Sequence, residues 1–141
     1  MPTVEDILMA KGPDVVVAGV DNTVEEAAKM MCKANVGSVI VKDDDTIAGI
    51  FTERDMLARV VAEGLDSKDV KLVDVMSSPV KTCTLDDSVE SCADIFKHAH
   101  VRHLAVVDDD VLIGVIGMRD VMYEQLTANA KRIEELEKLL D

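Results

Sequence analysis

An internal repeat constrains the fold of this chain more than any other feature of its sequence. Shifted by 65 residues, the sequence reads onto itself without a gap from about residue 15 to residue 60. Chance does not place three successive acids, a glycine and an Arg-Asp pair in one register. The main matched positions are Asp21 with Asp86, Ala34 with Ala99, Asp43–Asp45 with Asp108–Asp110, Gly49 with Gly114, and Arg54 and Asp55 with Arg119 and Asp120. The chain is therefore predicted to hold two copies of one small unit.

Each copy of the repeat has the same predicted order of elements. A short apolar strand, "VVVA" or "VKTC", precedes a helix over residues 24–34 or 89–99, where apolar residues recur at helical spacing. Thr23 and Glu26 fit the capping box that begins such a helix. Two apolar runs around an acidic turn then predict a hairpin, and a second helix begins at "TERD" or "GMRD". The fold class is therefore α/β (α+β), with two pseudo-symmetric β-α-β-β-α repeats. We expect them to pack through their sheets and to form two equivalent clefts where they meet.

The same pattern predicts the domain boundaries. The first repeat covers residues 4–63, and residues 64–79 form a linker with a short helix around Val73–Met76. The core of the second repeat covers residues 80–125, and a C-terminal helical tail covers residues 126–141. This tail is polar except for one apolar stripe, so it either pairs with the tail of a second copy or covers the module. The stripe consists of Leu126, Ile133, Leu136 and Leu140.

The composition excludes several classes of protein. The 141 residues carry a formal net charge of −13, so duplex DNA and anionic membranes repel most of the surface. No apolar run approaches the roughly 18 residues that a membrane span requires. The N-terminus "MPTVEDIL" also lacks the basic and apolar regions of a signal peptide. Cys32, Cys83 and Cys92 are odd in number and lack metal-type spacing, which indicates reduced thiols in a cytoplasmic protein.

The junction "GIFTERDM" admits two interpretations. Thr52 lies three residues ahead of Asp55, so the pair fits a capping box at the start of a helix. The same carboxylate could instead accept hydrogen bonds from both hydroxyls of a ribose, as an acidic residue does in dinucleotide-binding folds. The second copy keeps the acid as Asp120 but has Gly117 in place of the threonine, so no capping box is expected there. This difference weakens the capping interpretation without excluding it.

Other kinds of site are not supported by the sequence. His98, His100 and His103 have spacings that fit neither one helical face nor a common metal site. The acidic triplets lack the glycine and the terminal glutamate of a calcium loop, so we interpret them as hairpin turns. The sequence offers no nucleophile with a matching base, no phosphate-binding loop and no pair of catalytic carboxylates. We therefore expect no enzyme activity, no metal and no required cofactor.

The duplicated unit resembles a tandem pair of cystathionine-β-synthase (CBS) domains, often called a Bateman module. The resemblance rests on "VGSVIV…GIFTERD" and "VRHLAVV…GVIGMRD" and extends from about Val4 to Tyr123. It implies a regulatory module that binds adenosine-containing ligands (AMP, ADP, ATP, NAD(H), sometimes S-adenosylmethionine), commonly as a disc-shaped homodimer. The function expected is a nucleotide sensor that acts on its own dimer or on an unidentified protein partner. The alternatives are a dimerisation scaffold with empty pockets or another adenosyl ligand, and a nucleotide-processing enzyme.

The resemblance also implies a set of nucleotide-binding residues. The residues that would hold the ribose are Thr52, Asp55 and Asp120. Those that would approach the phosphates through backbone or cationic groups are Gly37, Ser38, Arg54, Arg102, His103 and Arg119. The residues that would line the adenine are Val17, Ala18, Ile50 and Phe51 in one site and Thr82, Cys83, Val115 and Ile116 in the other. Two alternatives stay open: Arg54 and Arg119 could instead pair with surface acids, and most of the apolar residues would be core in any fold.

Overall fold

The computed structural model describes residues 2–13 and 15–140. Their contacts divide the chain into two compact units. The first-repeat unit is Val15–Val80, and the second-repeat unit combines residues 81–140 with residues 2–13. This division differs from the predicted first domain of residues 4–63, because the N-terminal segment belongs to the unit of the second repeat.

The elements follow the order expected from the repeat. In chain order they are α1 (Val4–Lys11), β1 (Val17–Gly19), α2 (Val24–Ala34), β2 (Ser38–Asp43), β3 (Thr46–Thr52), α3 (Glu53–Asp55, continued by a π-helical segment, Met56–Val61), α4 (Leu72–Val75), β4 (Thr82–Cys83), α5 (Val89–Ala99), β5 (His103–Asp108), β6 (Val111–Gly117) and α6 (Met118–Leu140). The β-α-β-β-α prediction is confirmed in both copies.

Both units are built on a three-stranded sheet of the same topology. In the first-repeat unit the strand order is β1-β2-β3, with β1 parallel and β3 antiparallel to the central strand. In the second-repeat unit β4, β5 and β6 repeat this order and these directions. The first helix of each repeat packs into a hydrophobic core: α2 contributes Val24, Ala27 and Met31 to one core, and α5 contributes Val89, Cys92 and Phe96 to the other. Each unit therefore has a hydrophobic core of its own.

Local capping explains where these helices begin and end. The Thr23 hydroxyl accepts from the Glu26 amide at 3.1 Å, and the Glu26 carboxylate accepts from the Thr23 amide at 2.9 Å. The predicted capping box is therefore present, and the backbone hydrogen bond from Thr23 lowers the pKa of Glu26. Helices α2 and α5 end at Asn35 and His100, which adopt left-handed backbone conformations with φ of 55° and 56°.

The acidic triplets lie at the tips of the two hairpins. Asp44, Asp109 and Asp110 have φ of 52°, 47° and 64°, in the left-handed region that aspartate tolerates better than most residues. The interpretation of these triplets as turns is therefore confirmed.

Each unit also includes a segment that lies outside its β-α-β-β-α repeat. In the first-repeat unit the Leu72 amide donates to Asn22 O at 2.9 Å, and α4 buries Leu72 and Val75. In the second-repeat unit the Val4 amide donates to Asp87 O at 2.9 Å, and α1 buries Val4. The N-terminal segment therefore packs against the second repeat in the same way that the linker packs against the first: each makes a backbone hydrogen bond to its repeat and buries apolar side chains. The helix predicted around Val73–Met76 is present as α4.

The second helix of the second repeat and the predicted tail form one helix. α6 runs without interruption over 23 residues, because no glycine or proline lies between Met118 and Leu140 to end it. Val121 is its buried residue, and residues 129–140 are all exposed. Within residues 2–13 and 15–140, no helix has both the length and the apolar character to cross a membrane.

Candidate functional site

The junction between β3 and α3 places Thr52 and Asp55 as the capping interpretation requires. The Asp55 amide donates to the Thr52 hydroxyl at 3.2 Å. In return, Asp55 Oδ2 accepts from the Thr52 amide at 3.0 Å and from its hydroxyl at 3.1 Å. Thr52 is therefore an N-cap, and Asp55 is the acid of a capping box. Capping does not exclude ligand binding, because a carboxylate has acceptor positions beyond those used here.

Two further residues surround the other oxygen of Asp55. Asp55 Oδ1 accepts from the Ser77 hydroxyl at 2.8 Å, and Arg59 Nε lies 3.8 Å from the same oxygen. The Arg59 guanidinium also donates to Met76 O at 2.8 Å, which ties it to the segment that carries Ser77. With 7% of its surface exposed, Asp55 is one of two buried polar residues among those described. Three protein hydrogen bonds leave this carboxylate about one of its four acceptor positions.

Sequence reasoning missed both of these partners. Arg59 lies four residues after Asp55 in a helical segment, so the i,i+4 rule could have indicated it. Ser77 is separated from Asp55 by 22 residues, and no sequence signal connects them.

The equivalent junction of the second-repeat unit keeps half of the capping box. Gly117 has no hydroxyl to cap the helix, but its amide donates to Asp120 Oδ2 at 2.7 Å. No capping box is present at this junction, as Gly117 predicts, although Asp120 still accepts this one hydrogen bond from the backbone. The same oxygen accepts from Lys11 Nζ at 2.8 Å. The side chain of Asp120 is 27% exposed, and that of Lys11 is 24% exposed. Lys11 was not identified from the sequence, because it is separated from Asp120 by 109 residues.

The start of the central strand lies beside each acid, as the repeat alignment predicts. Ser38 pairs with Thr52 across β2 and β3, and His103 pairs with Gly117 across β5 and β6. The amide that opens each second helix donates back to the residue before the strand: Glu53 to Gly37 O at 3.1 Å, and Met118 to Arg102 O at 2.9 Å. Each unit therefore brings its predicted ribose and phosphate positions to one end of its sheet.

The charge near these strand starts differs between the units. A Cβ atom on Gly37 would lie 2.9 Å from Glu53 Oε1, so a carboxylate covers the strand start of the first-repeat unit. The second-repeat unit has Arg102 and His103 there, and a methionine, Met118, replaces the glutamate. Arg54 and Arg119 are both exposed in the first turn of their helices. Their assignment to phosphate stays a prediction.

The predicted adenine-lining residues lie on two faces of each sheet. Four of them belong to the hydrophobic cores and are at most 4% exposed: Ala18, Phe51, Cys83 and Ile116. The other four lie outside those core clusters, and they are Val17, Ile50, Thr82 and Val115. Val17 is exposed and Ile50 is 8% exposed. The core members could meet a ligand only through their backbone, whereas the second group presents side chains on the opposite face.

The cysteines and histidines do not form a metal site. Among the described residues, no group of three or more His, Cys, Asp or Glu side chains is placed to hold a metal ion. All three cysteines are free, and Cys83 and Cys92 are buried. A hydrogen bond with Cys92 and burial raise the pKa of the Cys83 thiol.

Two equivalent units, each with an acid at a strand-to-helix junction, define a tandem-repeat module. The model of the CBS domain matches residues 4–62 and 72–126, so this chain belongs to the CBS domain family. The resemblance seen in the sequence is thereby confirmed.

Several known proteins are similar over most of the chain. The CBS domain-containing protein CBSX3, mitochondrial, of Arabidopsis thaliana is 29% identical over 143 aligned residues, covering 95% of this chain and 69% of that protein. The crystal structure of the CBS-domain containing protein ATU1752 from Agrobacterium tumefaciens has a TM-score of 0.81 at 32% identity, covering 87% of this chain and 98% of that one. The CBS domain protein PAE2072 from Pyrobaculum aerophilum, complexed with AMP, has a TM-score of 0.74 at 27% identity, covering 89% and 98%.

Proposed function

We propose that this protein is a regulatory module that senses an adenine nucleotide through Asp55 and Asp120. The observation that carries the proposal is the placement of these two acids at equivalent junctions of the two units, each beside the start of a central strand. A ribose hydroxyl would take the place of the Ser77 hydroxyl on Asp55 Oδ1, where the donor lies 2.8 Å away. Charged hydrogen bonds of this kind contribute about 1.5–3 kcal/mol each. The AMP complex of PAE2072 supports an adenine nucleotide as the ligand class.

The two units should differ in their preference for phosphate. Glu53 repels an anion from the strand start of the first-repeat unit, where it covers Gly37. Arg102 and His103 attract one in the second-repeat unit, and the guanidinium can donate two parallel hydrogen bonds to a phosphate. We therefore assign the phosphate-bearing end of the ligand to the second-repeat unit.

The regulatory output requires a second surface, and a homodimer would supply it. Leu57 and Val61 are 64% and 63% exposed, and their repeat equivalents Met122 and Leu126 are 52% and 66% exposed. The two residues of each pair lie four positions apart in a helical segment and so are neighbours on its surface, and contiguous exposed apolar surface of this kind is typical of interaction sites. A ligand that binds one arrangement of the dimer better than another would shift the population between them. We place this activity in the cytoplasm, where free thiols such as those of this chain stay reduced.

Binding measured by calorimetry on purified protein tests the proposal. AMP, ATP, NADH and S-adenosylmethionine are titrated into the wild type, Asp55→Ala and Asp120→Ala. We expect at least one substitution to weaken binding of at least one ligand by about tenfold or more, which corresponds to about 1.4 kcal/mol. Unchanged affinity in both variants would reject the ribose assignment.

The chain offers a matched control for loss of capping. Glu26 is the acid of another capping box, in which both hydrogen bonds are present, and it lies on α2 rather than beside a strand start. Glu26→Ala should leave ligand affinity unchanged while it removes an equivalent helix cap. A loss of affinity in Glu26→Ala equal to that in Asp55→Ala would show that capping, and not ribose binding, explains the effect.

Two rival functions give different results in the same experiments. A scaffold with empty pockets predicts no shift of the melting temperature with any adenosine compound. A nucleotide-processing enzyme predicts release of AMP, phosphate or nicotinamide during prolonged incubation. We expect a thermal shift with at least one ligand and no turnover.

A further inference from the structure

Helix α6 carries an apolar seam that no described part of this chain covers. Five large apolar side chains between residues 126 and 140 are between 47% and 87% exposed: Leu126, Ile133, Leu136, Leu139 and Leu140. Leu126, Ile133 and Leu140 recur every seven residues, and Leu136 lies three residues after Ile133. Written as a heptad, these positions are a, a, a and d, the spacing of a two-stranded coiled coil. The continuous helix from Met118 to Leu140 presents this seam without a break.

The residues beside the seam select a second copy of the same helix as the partner. Arg132 occupies position g, and Glu137 occupies position e of the following heptad. In a parallel pair of helices in register, each g side chain faces the e side chain of the next heptad on the partner. Arg132 of one copy therefore meets Glu137 of the other, and the twofold symmetry makes this ion pair twice. An antiparallel pair brings e against e and g against g, and neither set contains both signs of charge in this helix.

The identities of the seam residues agree with two strands. A β-branched residue at position a followed by leucine at position d favours a parallel dimer, and Ile133 with Leu136 has this arrangement. Asn129, at the d position between Leu126 and Ile133, is exposed in the single chain. A register that placed this amide against Leu126 or Ile133 of the partner helix would leave it without a hydrogen-bond partner, so the in-register pairing of Asn129 with its own copy is favoured.

We propose that residues 126–140 of α6 pair with the same residues of a second copy as a short parallel coiled coil. About two heptads are too few to associate alone, so this pairing depends on the rest of the chain to bring the helices together. Asp120 lies in the first turn of the same helix, which gives the pair a rigid connection to the junction of the second-repeat unit. The pairing itself does not require a nucleotide.

Cross-linking of the full-length chain tests the geometry. In a Cys32→Ser background, Ile133→Cys places a thiol on the seam, and Lys138→Cys places one on the outer face at position f. With oxidised glutathione as oxidant, we expect Ile133→Cys to form a disulfide-linked dimer and Lys138→Cys to stay monomeric on a denaturing gel. Equal yields for the two variants, or no cross-link at Ile133→Cys, would overturn the proposal.

A charge exchange in the Ile133→Cys background tests the orientation of the two helices. Arg132→Glu and Glu137→Arg each place like charges together, so each should reduce the yield of the Ile133→Cys cross-link by about threefold or more. The double variant restores opposite charges and should restore the cross-link yield. A double variant whose cross-link yield stays as low as that of the single variants would exclude the parallel register. Nucleotide affinity, measured on the same variants, separates failure of this proposal from failure of the sensor function.

Discussion

Gly49 is expected to be one of the most sensitive positions in the chain. A Cβ atom added there would lie 2.6 Å from Met76 Sδ and 2.8 Å from Ser77 O. The second contact is to backbone that Ile50 holds by hydrogen bonds of 2.9 and 2.8 Å in both directions, so the chain cannot move aside without breaking them. Loss of two such bonds costs about 1–3 kcal/mol, and overpacking costs about 1–3 kcal/mol. The smaller backbone entropy of alanine returns about 0.5–1 kcal/mol. We therefore expect Gly49→Ala to lower the free energy of unfolding by about 1–5.5 kcal/mol.

The repeat supplies the control for this prediction. At Gly114 the nearest neighbours of an added Cβ atom would be the two methyl groups of Leu8 at 3.0 and 3.2 Å and Pro13 O at 3.3 Å. A leucine side chain can rotate away, so Gly114→Ala should cost about 1 kcal/mol or less. Urea denaturation of both variants, followed by circular dichroism, measures the difference. A Gly49→Ala variant within about 0.5 kcal/mol of the wild type, or one less destabilised than Gly114→Ala, would refute the reasoning.

Two further predictions concern reactivity and ligand charge. Under native conditions a small alkylating reagent should modify Cys32, because this thiol is exposed. Cys83 and Cys92 are 3% and 0% exposed, so they should react only after the protein is unfolded. Mass spectrometry before and after denaturation counts the modified thiols, and modification of a second cysteine in the folded protein would contradict the buried positions. Arg102→Ala should lower the affinity for AMP by about tenfold and leave the affinity for adenosine unchanged, because a guanidinium contact to phosphate exists only in the nucleotide. Calorimetry with the two ligands decides this, and an equal loss for both would place Arg102 away from the phosphate.

Much of the fold follows from the sequence because its signals are local. The capping box of Thr23 and Glu26 spans three residues, and the acidic turns need only a tolerance of left-handed backbone. The repeat supplied a second instance of the acidic turn and of the acid at the second helix. The order of elements was therefore predictable, and so was the position of an acid at each strand-to-helix junction.

The assignment of α1 was less accessible to sequence reasoning. Residues 4–11 were predicted within the first repeat, residues 4–63. The structure groups them with the second repeat, where the Val4 amide donates to Asp87 O. The sequence contains no periodic signal for the packing of α1 on the second repeat, because this packing depends on which backbone groups the fold brings together.

In the candidate site, too, the local contacts were predicted from the sequence and the contacts between distant residues were not. Thr52 and Asp55 were identified as both a capping box and a possible ribose contact, and the structure contains the capping box. The sequence did not indicate that Ser77 donates to Asp55 or that Lys11 pairs with Asp120. It also did not distinguish core members such as Phe51 and Ile116 from residues on the opposite face of the sheet, because continuous apolar strands lack the alternation that separates the faces.

By itself the sequence determined that this protein is a duplicated β-α-β-β-α unit with one acid at each second helix, since these features depend on spacing within a few residues and on one repeat length. Tertiary structure alone decided which residues distant in the chain contact each acid. Asp55 is buried and accepts from a serine 22 residues away, whereas Asp120 is partly exposed and pairs with a lysine 109 residues away. The physical reason is that a carboxylate removed from water must be satisfied by whatever donors the folded backbone brings within about 3 Å, and those donors need not be near it in the chain.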